Sequence, residues 1–164
     1  MAAVLRVLVL ALLAGATACA SGGGDNGERR SSARRASESR AIQLEALPAQ
    51  PLDPGQCGLF LWAQSLQTPS FIFVAYDDPA EAWVQSEGDD KQLPRTSFEG
   101  QVRLGHFERQ SFANDDLRVI VDLKFDDQRA MQDGIAIERG TLRVQDRAGW
   151  EAVMPVGGMV ACER

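Results

Sequence analysis

The sequence predicts an all-β domain: a small antiparallel meander of about eight strands that closes as a barrel, with a β-sandwich as the alternative. After residue 57, runs of alternating apolar and polar residues recur between polar turns, most clearly from Leu117 to Phe125. A sheet of this length avoids exposed edges by closing or by folding over. Cys57 and Cys162 stand at the start of the first run and the end of the last. In a closed meander of even strand number those two points are neighbours, which favours the barrel.

The N-terminus has the pattern of an export signal. Residues 1–18 contain one arginine, an apolar run over 7–13 and small residues before Cys19. The sequence Ala16-Thr17-Ala18-Cys19 resembles the lipobox of bacterial lipoproteins. The resemblance implies a signal peptide at 1–18 and a Cys19 that carries acyl chains such as palmitate. Two alternatives remain: secretion with Cys19 inside a discarded signal, and a retained membrane helix, for which the run is short.

Residue 20 bears on the destination of such a lipoprotein. It is alanine rather than aspartate, which in lipoproteins of the enteric type implies release to the outer membrane. The expected location is therefore the envelope of a Gram-negative bacterium, with the domain facing the periplasm.

Residues 19–52 are predicted to form the lipidated cysteine and a disordered linker, followed by a β domain over 53–164. From residue 20 to 40 the chain is mostly Ser, Gly, Ala and Arg, with too few large apolar side chains to offset the entropy of ordering. Its arginine pairs, Arg29-Arg30 and Arg34-Arg35, fit either contact with anionic lipid headgroups or a solvated linker extended by like charge.

The charge of the domain argues against nucleic acid as a partner. The whole chain has a net charge of −6, and from Cys57 onward eleven Lys and Arg face eighteen Asp and Glu. An acidic body repels phosphate backbones.

Assigning Cys19 to the lipid leaves Cys57 and Cys162 as a pair. An even number of cysteines in an exported chain predicts a disulfide, here closing a loop of about 105 residues that the chain-entropy model values at roughly 4 to 5 kcal/mol. Two cysteines with the distant His106 make a poor metal site, so we expect neither a metal nor a cofactor.

The individual strands follow from β-branched and aromatic runs and from the turn residues between them. They are predicted over 59–62, 71–76, 83–86, 93–97, 101–112, 117–125, 134–145 and 150–162. Two segments predict helical turns instead. Asp78–Glu81 has a capping aspartate and a proline in the first turn, and Asp127–Gly134 has an aspartate cap and a glycine terminator.

Four Asp-Asp pairs are candidate calcium ligands, although aspartate is also a common turn residue and no EF-hand spacing is present. Successive turns of a meander alternate between the two ends. The tether is expected to enter at the Cys57 end, shared by Asp77-Asp78 and Asp126-Asp127. The opposite end is predicted to carry distal interaction loops, with candidate residues Asp89, Asp90, Asp115 and Asp116.

Catalytic residues are not evident. His106 lies inside a predicted strand, with no nucleophile on a designed turn as a triad requires, which favours a structural histidine. Trp62, Trp83 and Trp150 are expected mostly in the core, with Trp83 the best placed of the three for an interface.

Three segments carry a family resemblance: Pro54–Trp62, Gly149–Glu151 and Val156–Cys162. They resemble an uncharacterised family of short alphaproteobacterial envelope lipoproteins, a resemblance that implies no functional residues. A weaker resemblance, over Tyr76-Asp77-Asp78 through Leu93-Pro94-Arg95, is to membrane-bound inhibitors of c-type lysozyme, small lipoproteins with a disulfide-closed barrel. This chain lacks a counterpart of their lysine-bearing strand and loop, so their inhibitory residues are not carried over.

The sequence therefore predicts a non-enzymatic, lipid-anchored periplasmic β domain that binds a protein or envelope component. The alternatives are a carrier with a small apolar ligand in the barrel interior, and a lysozyme-inhibitor-like protein. Many inward Phe, Leu and Val residues favour a barrel that fills its own core over a carrier.

Overall fold

The computed structural model describes residues 42–65 and 69–164, in which eight antiparallel strands form a closed barrel. Each strand pairs with its neighbours in chain order, and the last returns to the first. This confirms the predicted all-β meander and its closure as a barrel rather than a sandwich. The strands are β1 (Cys57–Ala63), β2 (Phe71–Tyr76), β3 (Glu81–Ser86), β4 (Asp89–Arg103), β5 (His106–Ala113), β6 (Leu117–Met131), β7 (Gly134–Asp146) and β8 (Glu151–Cys162). The predicted signal peptide and Cys19 lie outside the described residues.

The barrel interior is filled by one side of each strand. In β6, Val119 and Val121 are fully buried, whereas Arg118 between β5 and β7 is exposed. Phe73 and Phe112 meet edge to face in the centre, with ring centroids 5.5 Å apart. Burying side chains of this size contributes about 1.5 to 3 kcal/mol each, so the interior cluster is the main source of stability.

The seam between β1 and β8 closes the barrel. The two strands pair from Cys57 opposite Cys162 to Ala63 opposite Val156. The cysteines form the predicted disulfide, with their Cα atoms 4.0 Å apart. The covalent bond therefore lies at one end of the seam, hereafter the disulfide end.

Residues 42–56 lie along the outer wall of β1, β2 and β3. Leu47 is buried against Phe60, Val74 and Tyr76 on that wall, and its main-chain N–H donates to the Phe71 carbonyl at 2.7 Å. Further upstream, Glu45 pairs with Gln85 near the end of β3. The segment thus runs from the β3–β4 turn back to Cys57.

This path differs from the prediction in two ways. Residues 42–52 were assigned to the disordered linker, yet they pack against the barrel because Leu47 and its neighbours cover apolar wall that would otherwise face water. The tether was expected to approach at the disulfide end. Residues 42–45 instead lie at the opposite end, where Ile42 and Leu44 pack against the interior cluster.

Both predicted helical turns are wrong. Residues 77–80 form a β2–β3 turn whose carbonyls bond to other parts of the chain: Asp78 O accepts from Gln56 Nε2 at 2.7 Å, and Ala80 O accepts from Arg95 N at 2.9 Å. In the second segment β6 continues to Met131. There the Asp126 carboxylate accepts from the N–H groups of residues 128 and 129, which fits a bulge rather than a helix.

Candidate functional site

The tip of the β4–β5 hairpin extends beyond its neighbouring strands. β3 pairs with β4 only as far as Pro94, and β6 pairs with β5 only from Arg109 onward. Residues 95–108, here called the hairpin tip, therefore have ladder partners only within the hairpin. Two irregularities in the β4–β5 register bend the tip, one between Arg95 and Ser97 and one between Glu99 and Val102.

Sequence reasoning missed this element. It predicted strands over 93–97 and 101–112, whereas β4 runs unbroken to Arg103 and the chain turns at Leu104-Gly105. The alternation around Val102 and Leu104 is typical of a strand interior, and Leu-Gly lacks the Asn or Asp that usually signals such a turn. The one available signal was Gly105, which adopts a φ of 77°.

The bent tip is fastened at the disulfide end of the barrel. The Nε2 atom of His106 lies 3.3 Å from the carbonyl oxygen of Cys57. Arg103 pairs with Asp127 of β6 at 3.1 Å. Gly105 packs so closely on the β2–β3 turn that a Cβ atom there would lie 2.5 Å from Cβ of Asp77. The tip is thus held by β1, by β6 and by the β2–β3 turn.

Arg95 joins the base of the tip to its turn. One guanidinium nitrogen, NH1, donates to Gly105 O and to Gln110 Oε1, both at 3.2 Å. The guanidinium carbon lies 5.5 Å from the ring centre of Phe98 and 5.4 Å from that of Phe107, and the two rings stack at 4.2 Å. Burial lowers the pKa of Arg95, an effect that the nearby Asp77 opposes. These contacts fix the curvature of the tip.

His106 is fully buried on the inner side of this arrangement. Burial lowers its pKa to about 4, against a weaker opposing effect of the Cys57 carbonyl. The ring is therefore neutral at pH 7, and the carbonyl contact requires the proton on Nε2. Its Nδ1 atom has no hydrogen-bond partner among the described residues, nor has Nε2 of the buried Gln110. This environment suits a structural histidine.

The outer surface of the tip is apolar. Phe98 is 56 % exposed, Val102 49 % and Leu104 41 %. Leu104 also has a φ of 49°, in the left-handed region. Exposed large apolar side chains in such a group mark interaction sites more often than isolated ones do.

The Asp-Asp pairs lie at the two ends. Asp89 and Asp90 begin β4 and Asp115 and Asp116 lie in the β5–β6 turn, so all four belong to the end opposite the disulfide. Their contacts are surface ion pairs and turn contacts: Asp89 with Lys91 at 3.3 Å, and Asp116 with Arg147 at 2.8 Å. The use of these turns as interaction loops stays a prediction.

The other pairs have structural contacts. Asp77 accepts from the main-chain N–H of Cys57 at 2.8 Å, and Asp126 and Asp127 pair with Arg129 and Arg103. Within residues 42–65 and 69–164, no cluster of His, Cys, Asp and Glu side chains could hold a metal ion.

The tryptophans lie on the outside of the barrel. Trp62 and Phe71 line an outer-wall pocket of about 380 Å³ together with Leu47, Pro69 and Ser70. Trp83 packs partly buried beside the outer cluster, and its ring N–H donates to Glu81. Trp150 is exposed. The expected core role therefore fails for Trp150 and is only partly met by the others.

Comparison with known proteins identifies no relative: no family model, no curated protein and no solved structure matches this chain. In the described part of the chain, no helix has the length and apolar character needed to span a bilayer.

Proposed function

We propose that this chain is a lipid-anchored, non-enzymatic binding domain of the periplasm that captures a protein or another envelope component through its hairpin tip. The observation that carries the proposal is Leu104. It occupies a left-handed backbone conformation at the turn, and 41 % of its surface is exposed.

Neither the backbone nor the core accounts for leucine at this position. A residue with a Cβ atom loses about 1 kcal/mol or more in the left-handed region, where Gly, Asn and Asp are favoured. The exposed part of the side chain gains little from burial within the domain. Contact with a partner would bury that surface, and strained residues are often found at such sites.

The surroundings of His106 support a binding role over catalysis. Its ring is buried and neutral, and among the described residues its only hydrogen bond is to the Cys57 carbonyl. A general base needs a nucleophile or a substrate proton within reach. The inward side chains form one packed cluster, which likewise favours a surface site over a ligand inside the barrel.

Capture from detergent-solubilised envelopes tests the proposal. The full acylated chain is compared with Leu104→Asn, which suits the turn but removes the apolar side chain, and with Glu87→Asn, a matched change in the β3–β4 turn. We expect the wild type and Glu87→Asn to retain the same envelope component and Leu104→Asn to lose it. Equal retention by all three forms would overturn the proposal.

Anchoring is tested separately. Cys19→Ala should block acylation and leave an uncleaved or misprocessed precursor, because the lipobox cysteine is the site of both steps. Detergent partitioning and intact mass measure this. A processed, acylated Cys19→Ala protein would contradict the lipobox interpretation.

A further inference from the structure

We propose that the partner of the hairpin tip is a protein surface on which Lys or Arg side chains stand beside apolar ones. The inference rests on the proposed binding function and adds the chemical class of the partner. It follows from the way in which the charges of the hairpin are distributed between contacts with the barrel and the outer surface.

The arginines of the hairpin are engaged with groups of the domain itself. Arg103 pairs with Asp127 at 3.1 Å, and Arg109, directly after the tip, pairs with Asp122 at 3.0 Å. Arg95 is directed to Gly105 O and Gln110 Oε1 and lies over two aromatic rings. Their positive charge is therefore largely compensated within the domain.

The glutamates of the tip are not compensated in this way. Glu99 is exposed beside Phe98, and Glu108 accepts the main-chain N–H of Gln101 at 3.0 Å. Neither forms an ion pair among the residues that the structure describes. Asp78, in the turn on which Gly105 packs, is exposed as well.

The resulting surface combines negative charge with the apolar side chains of Phe98, Val102 and Leu104. A complementary partner presents positive charge around apolar contacts, because complementary potentials speed association and exclude like-charged surfaces. A second copy of this chain and a bilayer of anionic lipid carry the wrong sign. A cationic, partly apolar protein surface carries the right one.

Two immobilised peptides of equal length provide the probe, one alternating Lys with Leu and Phe and the other alternating Glu with Leu and Phe. The full acylated chain in neutral detergent is compared with Glu99→Gln/Glu108→Gln and with Glu87→Gln/Asp90→Asn, a control of equal charge at the opposite end. We expect the wild type to bind the Lys peptide and not the Glu peptide. The Glu99→Gln/Glu108→Gln form should bind roughly fivefold more weakly, with a smaller salt dependence, while the control binds as the wild type does.

Three results would overturn the inference: equal or tighter binding of the Glu peptide, an equal loss in the control variant, or a preference for phosphatidylglycerol vesicles over the Lys peptide. If Leu104→Asn still abolishes capture from envelopes, the binding function stands without a cationic partner. If Leu104→Asn changes neither capture nor peptide binding, the binding function itself is refuted.

Discussion

Two turns of the barrel share a backbone conformation and differ in what they present. Glu87-Gly88 joins β3 to β4 with φ values of 58° and 79°, and Leu104-Gly105 joins β4 to β5 with 49° and 77°. Positive φ at both central residues is the pattern of the type I′ hairpin turn, which favours Asn-Gly. The first turn exposes a carboxylate to water, whereas the second exposes an aliphatic side chain.

The surroundings of the two glycines explain how the same turn performs different tasks. A Cβ atom at Gly88 would meet nothing within 4 Å, whereas one at Gly105 would collide with Asp77. The β3–β4 turn only reverses the chain, with its glycine N–H bonded to Glu45 at 3.1 Å. The β4–β5 turn is pressed onto the barrel, so its apolar side chain has a defined position. Rigid presentation of this kind lowers the entropy cost of binding.

The largest expected effect on this contrast comes from the disulfide. Cys57→Ser/Cys162→Ser should lower the free energy of unfolding by roughly 2 to 5 kcal/mol, the usual cost of losing a native bridge in a small exported domain. Amide exchange should rise more around Leu104 than around Glu87, because the Cys57 carbonyl holds His106. Adding reductant to the double variant is the control and should change nothing. Free thiols at both positions in the unreduced wild type would contradict the account.

His106 should make the fastened end sensitive to acid. Its pKa is about 4 in the fold and about 6.5 when unfolded, so the fold binds fewer protons between these values. The stability it contributes is complete above pH 6.5 and is lost as the pH falls towards 4, on the order of 3 kcal/mol in total. Urea unfolding of wild type and His106→Gln across this range measures it. A constant difference between the two would show that His106 does not titrate as described.

A matched pair of glycine substitutions separates backbone strain from packing. Gly88→Ala should cost about 1 kcal/mol, because only the left-handed conformation opposes it. Gly105→Ala should cost about 1 to 2 kcal/mol more, because its Cβ also overlaps Asp77. Chemical denaturation of both variants checks this. Equal losses would mean that the β4–β5 turn is not pressed onto the barrel.

Much of the fold could be predicted because β6 alternates clearly and the cysteines mark the seam. The hairpin tip could not, since Leu104 continues the alternation of a strand and only long-range contacts of Gly105 and His106 place a turn there. The wall segment failed for a related reason. Leu47 is an isolated apolar residue in sequence, and the wall it covers is formed by strands far along the chain.

The central claim is that Leu104 serves a partner rather than the fold, and one pair of measurements on Leu104→Asn tests it most directly. Asparagine suits the turn, so the free energy of unfolding should stay level or rise by a few tenths of a kcal/mol, as it should for Glu87→Asn. Capture of the envelope component should be lost for Leu104→Asn alone. A Leu104→Asn protein that is clearly destabilised, or one that is stable and still captures the component, would contradict the claim.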